Sequence, residues 1–275
     1  LLTEGVGVNQ IRSLGYRTDF IFTRFEGIID RRETYWVIRT PKNPSYYWGN
    51  FILFQNPPSS GDFEKWQALF KKEFCQFPSV GHMAFGWDIS ESEQSDTHEF
   101  EQAGFTMNSS VVLTTAFVLK PKHLNLNIQV RALEQDWEWQ SALENQVLAG
   151  AQRTEDWEFK EFKKKQMECY RRMSEQGLGN WYGAFIRNRL VGDMGLYFSD
   201  QIGRFQSVVT HPLFRRQGVC STLVYRVSIE ALRNNKAKQL VIVADESYHA
   251  GRIYESLGFI QSEYQRGMHH PRLRI

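Results

Sequence analysis

"VVTHPLFRRQGVCSTLV", residues 208–224, starts as a β-strand, breaks at Pro212, turns basic at Arg215 and Arg216, passes Gly218 and then takes up a helical apolar spacing. Proline has no N–H for a ladder and keeps its predecessor out of α geometry, so the strand ends at His211 and the following N–H groups are released from pairing. Val219, Leu223, Val227 and Ala231 recur at intervals of four, the spacing of a buried helix face. The first turn of such a helix carries N–H donors without intrahelical acceptors and the positive end of the helix dipole. Gly218 offers a backbone without Cβ, and the two arginines offer charge-assisted contacts, so Arg215 to Ser221 can cradle a phosphate. An ordinary wet surface turn accounts for the same residues, and this stretch alone does not separate the two readings.

Its surroundings predict an α/β domain. Two helical stretches, 134–149 and 154–176, precede strand-like "WYGAFIRN" (181–188) and "RLVGDMGLYFS" (189–199), which meet at Asn188 and Arg189. After "RFQSVVT" (204–210) and the motif helix come "QLVIVAD" (239–245), a helix through "SYHAGRIYESLG" and a strand "FIQSEYQRG" (259–267). With a strand around Leu126–Val130 in front, this order predicts a mixed, mostly antiparallel central sheet flanked by helices. Strand-like Val111–Leu119 and Leu126–Val130 are separated by "KPKH", which places a domain boundary there: 1–120 and 121–275.

The first half carries strands at "YWVIRT", "NFILFQ" and "HMAFGWDI" and a helix at "GDFEKWQALFKKEF". Phe100, Gly104 and Phe105 of "HEFEQAGFTM" repeat the spacing of Tyr254, Gly258 and Phe259 of "RIYESLGFIQ", each time between a helix and a strand. The spacing is common helix-stop chemistry, yet both copies close their half of the chain.

At residues 215–220 the chain resembles the acyl-CoA signature R/Q-x-x-G-x-G/A of the GNAT superfamily of N-acetyltransferases, and Ala250, Tyr254, Gly258 and Phe259 are similar to that family's closing A-x-x-x-Y-x-x-x-G-F. The resemblance covers about residues 127–267. It implies acetyl-CoA as co-substrate, no metal, and direct transfer of the acetyl group to a primary amine. In that family the strand before the signature pairs with pantetheine, here through Val208, Val209 and Thr210. The backbone of Arg216, Gln217, Gly218, Val219, Cys220 and Ser221, with the Arg215 side chain nearby, would hold the pyrophosphate, and Tyr254 would protonate the departing thiolate. Cys220 stands where Gly or Ala is usual, Ser247 where many members carry Asn, and Gln206 where several place a glutamate base. Asp193 is the candidate proton acceptor, with Tyr197 and His249 also near in sequence. The first half has no such loop, and Asp62 at its helix start repels phosphate, so it reads as a copy of the fold without the cofactor. Two alternatives remain: an acyl-CoA-binding sensor or scaffold without catalysis, and a tandem acyl or aminoacyl transferase acting on a peptide or RNA-linked acceptor.

Composition bounds the partners. The 33 Lys and Arg against 31 Asp and Glu leave +2, too balanced for a nucleic-acid footprint, so no DNA partner is expected. The basic run "FKEFKKKQMECYRRM" interleaves Phe162, Met167 and Tyr170, which reads as a solvated face, including Lys163, over a buried one. Cys75, Cys169 and Cys220 form no ligand pair, and "MHHPRLRI" reads as a plain terminus. With no membrane span or leader in evidence, the expectation is a cytoplasmic monomer or homodimer acting on a small-molecule or peptide amine.

Overall fold

The structure, a computed structural model, describes residues 11–88, 94–150, 156–246 and 250–271. By contacts the chain divides into one unit of Leu1–Val111 with Glu263–Ile275 and a second of Val112–Ser262. The tail therefore belongs with the first unit, which a linear division at residue 120 does not anticipate.

The first unit runs α1 (Leu14–Glu26), β1 (Ile28–Arg31), β2 (Tyr35–Arg39), β3 (Phe51–Phe54), α2 (Asp62–Phe74), β4 (Met83–Trp87), α3 (His98–Gln102) and the start of β5 (Thr106–Thr115). Ser13 caps α1 by accepting from Tyr16 N, a signal unused in the sequence reading, which placed no helix there. The hairpin β1–β2 and the pair β2–β3 are antiparallel, and β3–β4 is parallel. Strand alternation divides the core in two. Trp36, Ile38, Phe51 and Leu53 face α1 through Tyr16 and Phe20, while Val37, Ile52 and Phe54 face α2 through Trp66, Phe70 and Phe74. Strands covered on both sides read as unbroken apolar runs, as in "FILF".

The second unit continues with β6 (Gln129–Ala132), α4 (Asp136–Ala149), α5 (Trp157–Glu175), β7 (Gly179–Ile186), β8 (Arg189–Ser199), β9 (Ile202–Thr210), α6 (Val219–Arg233), β10 (Gln239–Asp245), α7 (Ala250–Ser256) and the start of β11 (Ile260–His270). β6 to β9 are antiparallel neighbours and β9–β10 is parallel. At β8 the two faces are distinct: a Cβ on Gly192 would meet Val219 of α6, and the next side chain, Asp193, bonds Asn145 and Gln146 of α4. Helices thus cover both faces, as expected from the element order.

The terminal strands depart from the linear plan. The end of β5, Val112–Thr115, belongs to the second unit and β5 lies beside β10, while in the first unit Arg266–His270 of β11 pairs antiparallel with β4. His269 and His270, read as a plain terminus, are strand residues: His269 Nδ1 lies 2.6 Å from Asn108 Oδ1, and its ring packs on Tyr47. No helix among the described residues is long and apolar enough to cross a membrane.

Candidate acyl-CoA site

β9 and β10 are in register only from Ile202–Gln239 to Arg204–Val241. Beyond that, β9 runs on to Thr210 and β10 to Asp245 with no further pairing to each other. β9 also carries a bulge: Asp193 faces Val209 whereas Gly195 faces Gln206, which leaves one extra residue on β9, and Ser207 has φ +47°. Val208, Val209 and Thr210 follow it, half-buried.

The strand end is held by His211 N, which donates to Val191 O at 3.0 Å, and one 3-10 turn follows over Pro212–Phe214. Arg216 (φ +62°) and Gly218 (φ +72°) both take left-handed conformations, and Gly218 caps α6. The backbone bond from Thr222 N to Gly218 O, 3.1 Å, closes the first turn, so Val219, Cys220 and Ser221 carry the N–H groups that precede any intrahelical acceptor. Arg215, Arg216 and Gln217 are exposed. Gln217 braces the loop, its Nε2 donating to Leu213 O at 3.1 Å.

A second brace went unseen in the sequence. Asn125 Nδ2 donates to Gln217 O and Asn125 N donates to Thr222 Oγ1, each at 2.8 Å, so the segment after "KPKH" grips the start of α6. A Cβ on Gly218 would stand 2.7 Å from His123 O. Glycine is therefore required there by packing as well as by φ.

Residues 144–272 match the family model of the acetyltransferase (GNAT) domain. This segment is a GNAT acetyltransferase domain. The chain also resembles a conserved protein of unknown function from Staphylococcus epidermidis (TM-score 0.70, 15% identity, 90% of this chain and 96% of that one). A GCN5-related N-acetyltransferase from Kribbella flavida is similar over 99% of this chain and 98% of its own (TM-score 0.66, 13% identity). A tandem GNAT protein from the clavulanic acid biosynthesis pathway matches over 91% of this chain and 87% of its own (TM-score 0.54, 11% identity). At these identities the likeness is one of fold. No curated protein matches by sequence. The chemistry of the family is acyl transfer.

Within the GNAT domain, Asp193 is fully buried. Its Oδ1 accepts from Gln146 Nε2 (2.7 Å) and Trp181 Nε1 (3.0 Å), and its Oδ2 accepts from Asn145 Nδ2 (2.5 Å). Burial pushes its carboxyl up to about 6, while these donors and Lys163 oppose the rise. Lys163 departs from the solvated face expected of it: it is half-buried, its Nζ donates to Gln166 Oε1 at 3.2 Å, and burial pulls its ammonium down to about 8. Gln206 Nε2 donates to Tyr170 Oη at 2.7 Å. Tyr197 Oη donates to Tyr170 O at 2.8 Å, and burial raises its phenol far above the usual range. Tyr254 is 4% exposed on α7, edge-on to Phe259. Cys220 is half-buried, and burial pushes its thiol up to about 12. Ser247 and His249 lie outside the described residues.

Some local features of this site recur in the first unit. Gly61 (φ +79°) starts α2 as Gly218 starts α6, and Gly104 (φ +91°) matches Gly258 (φ +92°). Phe105 N donates to Phe100 O as Phe259 N does to Tyr254 O, at 3.0 and 3.1 Å. Yet β3 and β4 stay paired from Ile52–Phe85 to Phe54–Trp87, and Asp88 N donates to Phe54 O at 2.8 Å. Asp62 uses its carboxylate on Ser59 N and Lys65. Calorimetric titration with CoA is therefore expected to saturate at one equivalent per chain; two equivalents would contradict a first unit without the cofactor.

Proposed function

We propose that this chain is an N-acetyltransferase that moves the acetyl group of acetyl-CoA to a primary amine of a small molecule or peptide by direct attack. The observation that carries the reading is the parting of β9 from β10 directly before a loop that presents the free N–H groups of α6. The residues fit the cofactor. Val208, Val209 and Thr210 offer backbone groups that pantetheine pairs with as an added strand. The N–H groups of Arg216 to Ser221 suit a pyrophosphate at a helix start, and Arg215 adds charge.

Bound acetyl-CoA supplies an activated thioester. An N–H at the end of β9 polarises its carbonyl, and Tyr254 holds a proton at Oη for the leaving thiolate. An acceptor amine with a reference pKa near ~10 must shed a proton before attack. In this reading water takes it, because the oxygens of Asp193 already accept three buried donors and the amide of Gln206 is not basic.

The test is thiol release from acetyl-CoA across a panel of amines. Tyr254→Phe is expected to lower kcat about 100-fold or more with KM for acetyl-CoA little changed. Turnover at the full rate would remove Tyr254 from the chemistry. CoA binding without turnover on any amine would make the chain a binding module instead.

A further inference from the structure

Ser207 is an L-residue held at φ +47° inside a strand. Such a conformation is costly and persists only where its surroundings over-determine it. The surroundings here are specific. Gln146 Nε2 has two protons: one goes to Ser207 O at 2.8 Å and the other to Asp193 Oδ1 at 2.7 Å. The carboxylate is fixed in turn by Trp181 Nε1 on the same oxygen and Asn145 Nδ2 on the other.

We infer that Asp193 and Gln146 are positioning residues for the acyl-CoA cleft: the carboxylate sets the amide orientation of Gln146, and Gln146 holds the Ser207 carbonyl and with it the bulge that aims Val208 to Thr210. Without the carboxylate, the Gln146 amide is free to turn its oxygen toward Ser207 O, which repels it. The raised carboxyl of Asp193, about 6 through burial, agrees with a group kept for its acceptors at a cost. Lys163 of α5 is the charged side chain whose field acts on it. This inference rests on the acyl-CoA reading above and adds the residues that shape the site.

Two neighbours on one helix provide the test. Asn145 and Gln146 are both buried and both bond Asp193, but only Gln146 reaches β9. Gln146→Met and Asn145→Leu are expected to lower the melting temperature alike. In calorimetric titration with CoA, Gln146→Met is expected to weaken binding about tenfold or more, and Asn145→Leu less than about twofold. Adding Ser207→Gly to Gln146→Met is expected to restore most of the affinity, because glycine takes φ > 0 without strain. Ser207→Gly alone is expected to keep CoA affinity and raise the melting temperature by a few degrees. It carries the test should Gln146→Met fail to fold, since a lower melting temperature would show that Ser207 holds no strain for Gln146 to oppose. Equal affinities in the two α4 variants, or no rescue, overturn the inference while leaving the acyl-CoA reading in place. A wild-type chain that binds no CoA overturns both.

Discussion

Gly218→Ala is expected to abolish measurable CoA binding and to lower folding stability by about 1–3 kcal/mol. Two independent constraints meet at this position. The backbone has φ +72°, which a Cβ disfavours, and that Cβ would stand 2.7 Å from the carbonyl oxygen of His123. Because His123 O is a backbone atom, it cannot swing aside; either the loop of Arg215 to Gly218 or the segment of His123 to Asn125 must move. Both moves break the bond from Asn125 Nδ2 to Gln217 O and turn the first N–H groups of α6 away from one another. Gly61→Ala is the internal control. It has φ +79° but open space around the added Cβ, so it is expected to cost only about 1 kcal/mol and to leave CoA affinity untouched. Urea denaturation and calorimetric titration measure both effects, and wild-type affinity in Gly218→Ala would remove the phosphate cradle from this loop.

The part of the site that sequence could reveal is the part written in local backbone chemistry. Pro212 ends a strand, Gly218 opens a helix, and the spacing of Val219 to Ala231 gives its buried face; none of these depends on distant partners. The echo of Phe100–Gly104–Phe105 in Tyr254–Gly258–Phe259 was legible for the same reason, since each glycine answers a left-handed helix stop. What stayed hidden was set by long-range pairing. Nothing in "VVLTTAF" tells the end of β5 to join the second unit, and nothing in "QRGMHH" sends β11 to β4, because a strand's own pattern fixes its faces but not its neighbour. Asn125 lay in a stretch read as the approach to a strand, whereas β6 begins only at Gln129. Asp193 was visible as a carboxylate in a strand, but its role depends on Asn145 and Gln146, which one helix brings to it across nearly fifty residues of sequence.

Asp193→Ala is expected to destabilise the fold by about 3–5 kcal/mol at pH 7, the range for breaking a buried charged network. The loss comes from what is left behind: Asn145 Nδ2, Trp181 Nε1 and one proton of Gln146 Nε2 would be stranded without acceptors in the core. Asp193→Asn keeps one acceptor oxygen and separates the charge from the shape, which makes it the reference for pH. Burial is the largest influence on the wild-type carboxyl and raises it from 3.8 to about 6. Between those values the folded chain keeps a proton that the unfolded chain has lost, so this group's contribution to stability falls as pH rises and levels off above about 6. A shift of that size corresponds to roughly 3 kcal/mol. The stability of wild type relative to Asp193→Asn is therefore expected to shrink between pH 4 and pH 7, as read from urea midpoints at each pH. A relative stability that instead grows with pH would mean that the three donors and Lys163 outweigh burial and that the carboxylate is a net source of stability at neutral pH.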